Sequence, residues 1–157
     1  MNYQCKIIDE KVTHHVLVIK RTTTIKEMPK VLSECYSRIK GYLNGINEIP
    51  VGAPFVAFHN NDVEKLEIEV GMTVRKKIKG HKDIMARDIP GGKKVSCVHV
   101  GTYEEIEPNH DTIRRWMEEH NYKPKGVSYE FYVDDPLETV EGEIQTKVVF
   151  PLEQEVQ

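Results

Sequence analysis

A chain of 157 residues, 39% hydrophobic and 30% charged, has the make-up of one ordinary globular domain or two small fused halves, neither disordered nor membrane-spanning. Its net charge of −3 and pI near 6.2 argue against nucleic acid as a direct partner. The basic runs Arg75-Lys76-Lys77 and Gly91-Gly92-Lys93-Lys94 are short and flanked by acids, as solvated turns and strand ends are.

Residues 3–9 alternate and suit a first strand, and Val16-Leu17-Val18-Ile19 is a stronger one, closed by Thr22-Thr23-Thr24. From Ile25 the period changes. Met28, Val31, Leu32, Cys35, Tyr36, Ile39, Tyr42, Leu43 and Ile46 make one apolar stripe of a helix, with Gly45 and Pro50 marking its end. A strand after Gly52, a turn at Asn60-Asn61-Asp62 and the alternating run Leu66 to Val74 form a hairpin. Asp83 to Ala86 is a short strand, Ile89-Pro90-Gly91-Gly92 a turn, and Val95 to Val100 a strand. Pro108 and Asp111 open a second helix with Ile113, Trp116, Met117 and His120 inward. Gly126 begins a second hairpin, turning at Asp134-Asp135-Pro136, whose returning strand puts Ile144, Thr146, Val148 and Phe150 on one face.

This order repeats. Gly52-Ala-Pro-Phe55-Val56-Ala-Phe58-His59-Asn60 recurs 74 positions later as Gly126-Val-Ser-Tyr129-Glu130-Phe131-Tyr132-Val133-Asp134. The chain is therefore predicted to be α+β, a duplicated β-β-α-β-β unit with half-repeats at about 1–78 and 79–157. The sheet should be largely antiparallel, with two helices on one face and a cleft where the halves meet.

The copies differ most where Val56 becomes Glu130. A carboxylate in an aromatic, β-branched strand is costly to bury without a partner, so Glu130 is the first candidate for function. Strand alternation puts Glu130 and Tyr132 on one face, with Tyr129 and Phe131 on the other. A pocket of Phe58, Val56, Tyr132, Trp116 and Met72, with Glu130 as its ionised group, would suit a flat lipophilic cation through charge and ring attraction. Tyr36 and Tyr103 could bring hydroxyls to it, and Phe150 could reach its wall. His99 is either a hydrogen-bonded structural histidine or a ligand contact. The ordinary alternative for Glu130 is an edge-facing carboxylate paired with a lysine on a neighbouring strand.

Three cysteines, Cys5, Cys35 and Cys97, are odd in number and show no CxxC spacing. They read as unbonded residues of a reducing cytoplasm. No leader pattern and no transmembrane-length run is present, so a cytoplasmic protein without membrane contact is expected. HExxH, GxSxG and P-loop motifs are absent, so no metal or other cofactor is expected.

The runs Gly52 to His59, Ile89-Pro90-Gly91-Gly92, His99-Val100-Gly101-Thr102-Tyr103-Glu104-Glu105-Ile106, Tyr129 to Pro136 and Val149-Phe150-Pro151-Leu152 together resemble the GyrI-like small-molecule-binding family. That family is also met as the effector-binding domain of AraC-type and MerR-type multidrug regulators. The resemblance implies a duplicated fold with a pocket in which a glutamate at the position of Glu130 meets lipophilic, often cationic compounds. Without a fused DNA-binding domain, the chain looks like the stand-alone members. The leading expectation is capture of such a compound with Glu130 as charge anchor. The alternatives are a hydrolase of electrophilic, cyclopropanoid-type xenobiotics, with Glu130 activating water and Tyr103 or Tyr132 steadying the leaving group, and a protein-binding module such as a DNA gyrase inhibitor.

Overall fold

The chain forms two compact units, each with four antiparallel strands and one helix, in a computed structural model that describes residues 3–100, 106–132 and 145–153. The elements in chain order are β1 (Tyr3–Glu10), β2 (His14–Thr23), α1 (Met28–Gly45), β3 (Phe55–Phe58), β4 (Leu66–Val74), β5 (Ile84–Ile89), β6 (Gly92–Val100), α2 (Ile106–Glu119), β7 (Ser128–Tyr132) and β8 (Gln145–Pro151). The fold is α+β. Among the described residues no helix is long and apolar enough to cross a membrane.

One unit is the continuous segment Lys11–Gly91, with strands in the order β3-β4-β2-β5; the other joins Met1–Glu10 to Gly92–Gln157, in the order β1-β6-β8-β7. These units are not the sequence halves 1–78 and 79–157. The strand that opens the chain pairs with β6, and β5 pairs with β2, so each unit takes one strand from the other half-repeat. Local periodicity shows that a strand exists but not which distant partner it takes.

The duplication reaches into the helix ends. Asn47 and Asn121, 74 positions apart, have φ of 59° and 61°. At each end the next residue's N–H reaches back five positions, from Glu48 to the Leu43 carbonyl (2.9 Å) and from Tyr122 to the Met117 carbonyl (2.8 Å). Both are left-handed C-terminal caps that satisfy orphan carbonyls. The sequence suggested Gly45 as the stop; it is the last helical residue, and Asn47 makes the turn. Five positions beyond each Asn, Gly52 and Gly126 take φ of 79° and 102°, where a side chain would be strained.

In the Lys11–Gly91 unit, Met28, Cys35, Ile39 and Leu43 of α1 are buried. Asp83 accepts hydrogen bonds from both Arg38 on α1 and Arg21 on β2. Those two guanidiniums, Arg38 above all, hold its carboxyl well below the usual range. Cys35 is a free thiol that burial pushes up in pKa.

The second unit has its own core of Val95, Cys97, Ile113, Met117, Val148, Phe150 and Leu152. Here one expectation fails. Cys5 and Cys97 are bonded, with Cα atoms 4.1 Å apart across β1 and β6 and 92 positions apart in the chain. The odd count and missing CxxC motif gave no hint, because what brings the sulfurs together is the non-local β1–β6 register.

Candidate functional site

Strand β7 alternates buried Ser128, Glu130 and Tyr132 with half-buried Tyr129 and Phe131. Its outer face carries Tyr129 stacked near Phe131, with the Lys147 ammonium over the Phe131 ring at 5.8 Å. Its inner face follows the row Cys5–Cys97–Val148–Glu130, read off the strand register. Cys97 and Val148 belong to the core packed under α2, so Glu130 points toward that helix.

Glu130 is only 4% exposed. The Tyr132 hydroxyl donates to its Oε1 at 2.9 Å. Its Oε2 lies 2.8 Å from His110 Nε2. The His110 contact is close yet not aligned as a hydrogen bond, and it is an ion pair only when the imidazole is protonated. His110, Ile113 and Met117 share the buried stripe of α2 at helical spacing. The Phe150 ring meets His110 edge-on at 5.6 Å, and the Arg114 guanidinium lies 5.4 Å over the same ring.

One row along, Tyr132 stands opposite Thr146, which stands opposite His99. His99 is buried, and Thr146 is fully buried with no hydrogen-bond partner for its Oγ1. A polar strip of Glu130, Tyr132, Thr146, His99 and His110 thus lies on the α2-facing side of the sheet, beside the apolar Cys97, Val148 and Phe150.

Of the residues singled out in the sequence, Glu130, Tyr132, Phe150 and His99 fall on this face. Trp116 is half-buried at the margin of the same core, its ring stacked with His120 at 4.3 Å and with Tyr122 at 6.0 Å. His120 is exposed, not inward as its spacing suggested, and its Nδ1 contacts the Trp116 carbonyl oxygen at 2.8 Å. Val56, Phe58 and Met72 are buried in the Lys11–Gly91 unit, where the Tyr36 hydroxyl donates to the Phe55 carbonyl at 3.0 Å. Tyr103 lies outside the described residues, as do Asp134-Asp135-Pro136 and Ile144. The lysine alternative for Glu130 is overturned: Lys147, one position from its cross-strand neighbour Val148, faces Phe131 on the other side.

His110 is the residue that sequence reasoning missed. A signal was present. His110 follows Tyr36 by the same 74 positions that separate Glu130 from Val56, so the two substitutions coincide in space as well as in the repeat.

The profile of the GyrI-like small molecule binding domain matches residues 5–153. The chain belongs to that family. No curated protein matches it. Among solved structures, EcmrR in a DNA complex aligns with a TM-score of 0.84 at 18% identity, over 98% of this chain and 58% of that one. The isolated EcmrR C-terminal domain aligns at 0.81 and 18% identity, over 99% of this chain and 100% of that one. The GyrI-like chain therefore spans less than two thirds of the DNA-bound EcmrR chain. A hydrolase from Listeria innocua (TM-score 0.66, 12% identity, 96% and 92% covered) and SAV2435 bound to tetraphenylphosphonium (0.65, 12%, 98% and 94%) share the fold.

Proposed function

We propose that this GyrI-like domain captures a lipophilic organic cation on the α2-facing side of β7, with Glu130 as the charge anchor. The observation that carries this reading is the setting of Glu130. It is a carboxylate in a packed interior, touched by Tyr132 and His110 and by no lysine or arginine among the described residues. Burial of a carboxylate is expensive unless a counter-charge is supplied, and a cationic guest supplies one. The rings of Tyr132 and Phe150 add apolar surface and ring attraction for a cation. SAV2435, which shares the fold, is described with one such compound bound, and the same class is the natural probe here.

The test is calorimetric titration with tetraphenylphosphonium on wild type and Glu130→Gln. Loss of the anchor is expected to weaken binding by about tenfold or more. Equal affinity for both proteins would remove the anchor role.

A second reading, hydrolysis of an electrophilic compound, is favoured by one detail: the two oxygens of Glu130 contact groups that both carry protons, Tyr132 and His110. Turnover that survives Glu130→Gln would exclude that carboxylate as the base.

A further inference from the structure

We infer that His110 is a specificity-determining residue of this site: protonated, it is the internal counter-ion of Glu130, and a cationic ligand binds by displacing that charge. The inference rests on the Glu130 anchor proposed above and adds a condition to it.

The kind of partner beside Glu130 decides whether a second cation can reach it. A lysine or arginine beside a buried carboxylate would neutralise it at every ordinary pH and leave no vacancy for a second cation. An imidazole can lose its charge near neutrality. His110 Nε2 sits 2.8 Å from Oε2, and both side chains are buried, so the two charges meet with little solvent between them. Because the contact is not aligned as a hydrogen bond, it loses most of its strength when the proton leaves.

Two positive charges cannot share one carboxylate in such a setting without strong repulsion. Proton on His110 and cation at Glu130 therefore compete. A cation binding to the protonated protein should expel a proton to solution, whereas an uncharged guest of similar shape should not.

The Lys11–Gly91 unit shows that the fold needs neither charge. At the positions equivalent to His110 and Glu130 stand Tyr36 and Val56, and the same strand-and-helix framework is built around them. Acid and base thus occur together in one copy and together are absent from the other, as expected of a functional pair.

Among the described residues, the other groups on this face define the controls. From β7 come Glu130 and the Tyr132 hydroxyl; from β8 come Phe150 and Thr146, neither of which titrates. From β6, His99 shares the sheet face and is the other described imidazole there. On α2 itself, Arg114 lies over Phe150, a fixed charge at any working pH.

The experiment is calorimetry from about pH 5.5 to 8, spanning imidazole titration. Tetraphenylphosphonium and the uncharged triphenylphosphine oxide are titrated in two buffers of different ionisation enthalpy. For wild type, cation affinity should rise by up to about tenfold per pH unit on the acid limb, then level off, with close to one proton released per cation at the acid end. The oxide should show no such slope. His110→Gln should bind the cation with a flat profile, and His99→Gln should keep the slope. Cation binding that depends on Glu130 yet is independent of pH in wild type overturns the role of His110 alone, as does a slope that persists in His110→Gln. Cation binding that is absent, or indifferent to Glu130→Gln, overturns the anchor and this inference with it. Should His110→Gln fail to fold, the wild-type proton count and His99→Gln decide: no proton released, or a slope lost with His99, overturns the proposal.

Discussion

The two units answer the same structural problem with different chemistry. In the Lys11–Gly91 unit, one row across four strands reads Ile84–Ile19–Val70–Val56, apolar throughout. The corresponding row of the other unit reads Cys5–Cys97–Val148–Glu130. The Ile84–Ile19 neighbours are replaced by a covalent bond, and Val56 by a buried acid that needs company. Above the row, Tyr36 gives its hydroxyl to a backbone carbonyl, whereas its counterpart His110 turns to Glu130. One unit keeps the row apolar. The other gives up apolar contact at one position and holds a buried carboxylate beside an imidazole.

The most severe test of this difference is to place an acid where only the second unit tolerates one. Val56→Glu leaves a carboxylate opposite Tyr36, with no imidazole to meet it, and is expected to cost about 3–5 kcal/mol in urea unfolding. A cost below about 1 kcal/mol would mean that the two rows are equally polar inside. Reduction of the Cys5–Cys97 bond, or Cys5→Ser, should remove about 2–4 kcal/mol, read as the difference between denaturation curves with and without a dithiol. The converse exchange gives the second unit the first unit's residues: His110→Tyr with Glu130→Val should hold or raise stability by about 1–4 kcal/mol while abolishing cation binding. If the double variant unfolds more readily than wild type, the pair contributes to cohesion and not only to recognition.

The smallest effect belongs to Asp83, whose carboxyl is held down by Arg38 and then Arg21. A depressed carboxyl stabilises the fold above its unfolded value, near 3.9, and that contribution fades as pH falls toward the folded value. With side chains 36–42% exposed, the network is screened. Asp83→Asn should cost less than about 1 kcal/mol at neutral pH and flatten the loss of stability below about pH 4. Acid unfolding of unchanged steepness would place the sensitive carboxylates elsewhere.

Much of the fold was legible because periods are local. The stripe from Met28 to Leu43 and the alternation from Leu66 to Val74 mark α1 and β4 directly, and the near-repeat of Gly52 to Asn60 marks the duplication. Glu130 was legible for the same reason: an acid in an otherwise apolar copy is visible by comparison. What could not be read is non-local. The pairing of β1 with β6 joins segments some ninety positions apart, and the disulfide followed from it. On α2 the inward reading fails only at His120, which is exposed; Ile113 and Met117 are buried with His110, and Trp116 packs at the margin of that core. His110 could have been found by applying the repeat offset to Tyr36, a polar signal hidden at the start of a helix whose apolar stripe is short.

The exchange of β1 also has a consequence for how the polypeptide is made. By the time Gly91 has left a ribosome, every strand of the Lys11–Gly91 unit has been synthesised and can pair. Strand β1, made before any strand of that unit, by contrast waits for a partner that begins at Gly92, and its cysteine is bonded only after Cys97 emerges. A nascent chain halted before that point would display an unmatched β-edge with a lone thiol, the feature most open to capture by a chaperone or by another copy.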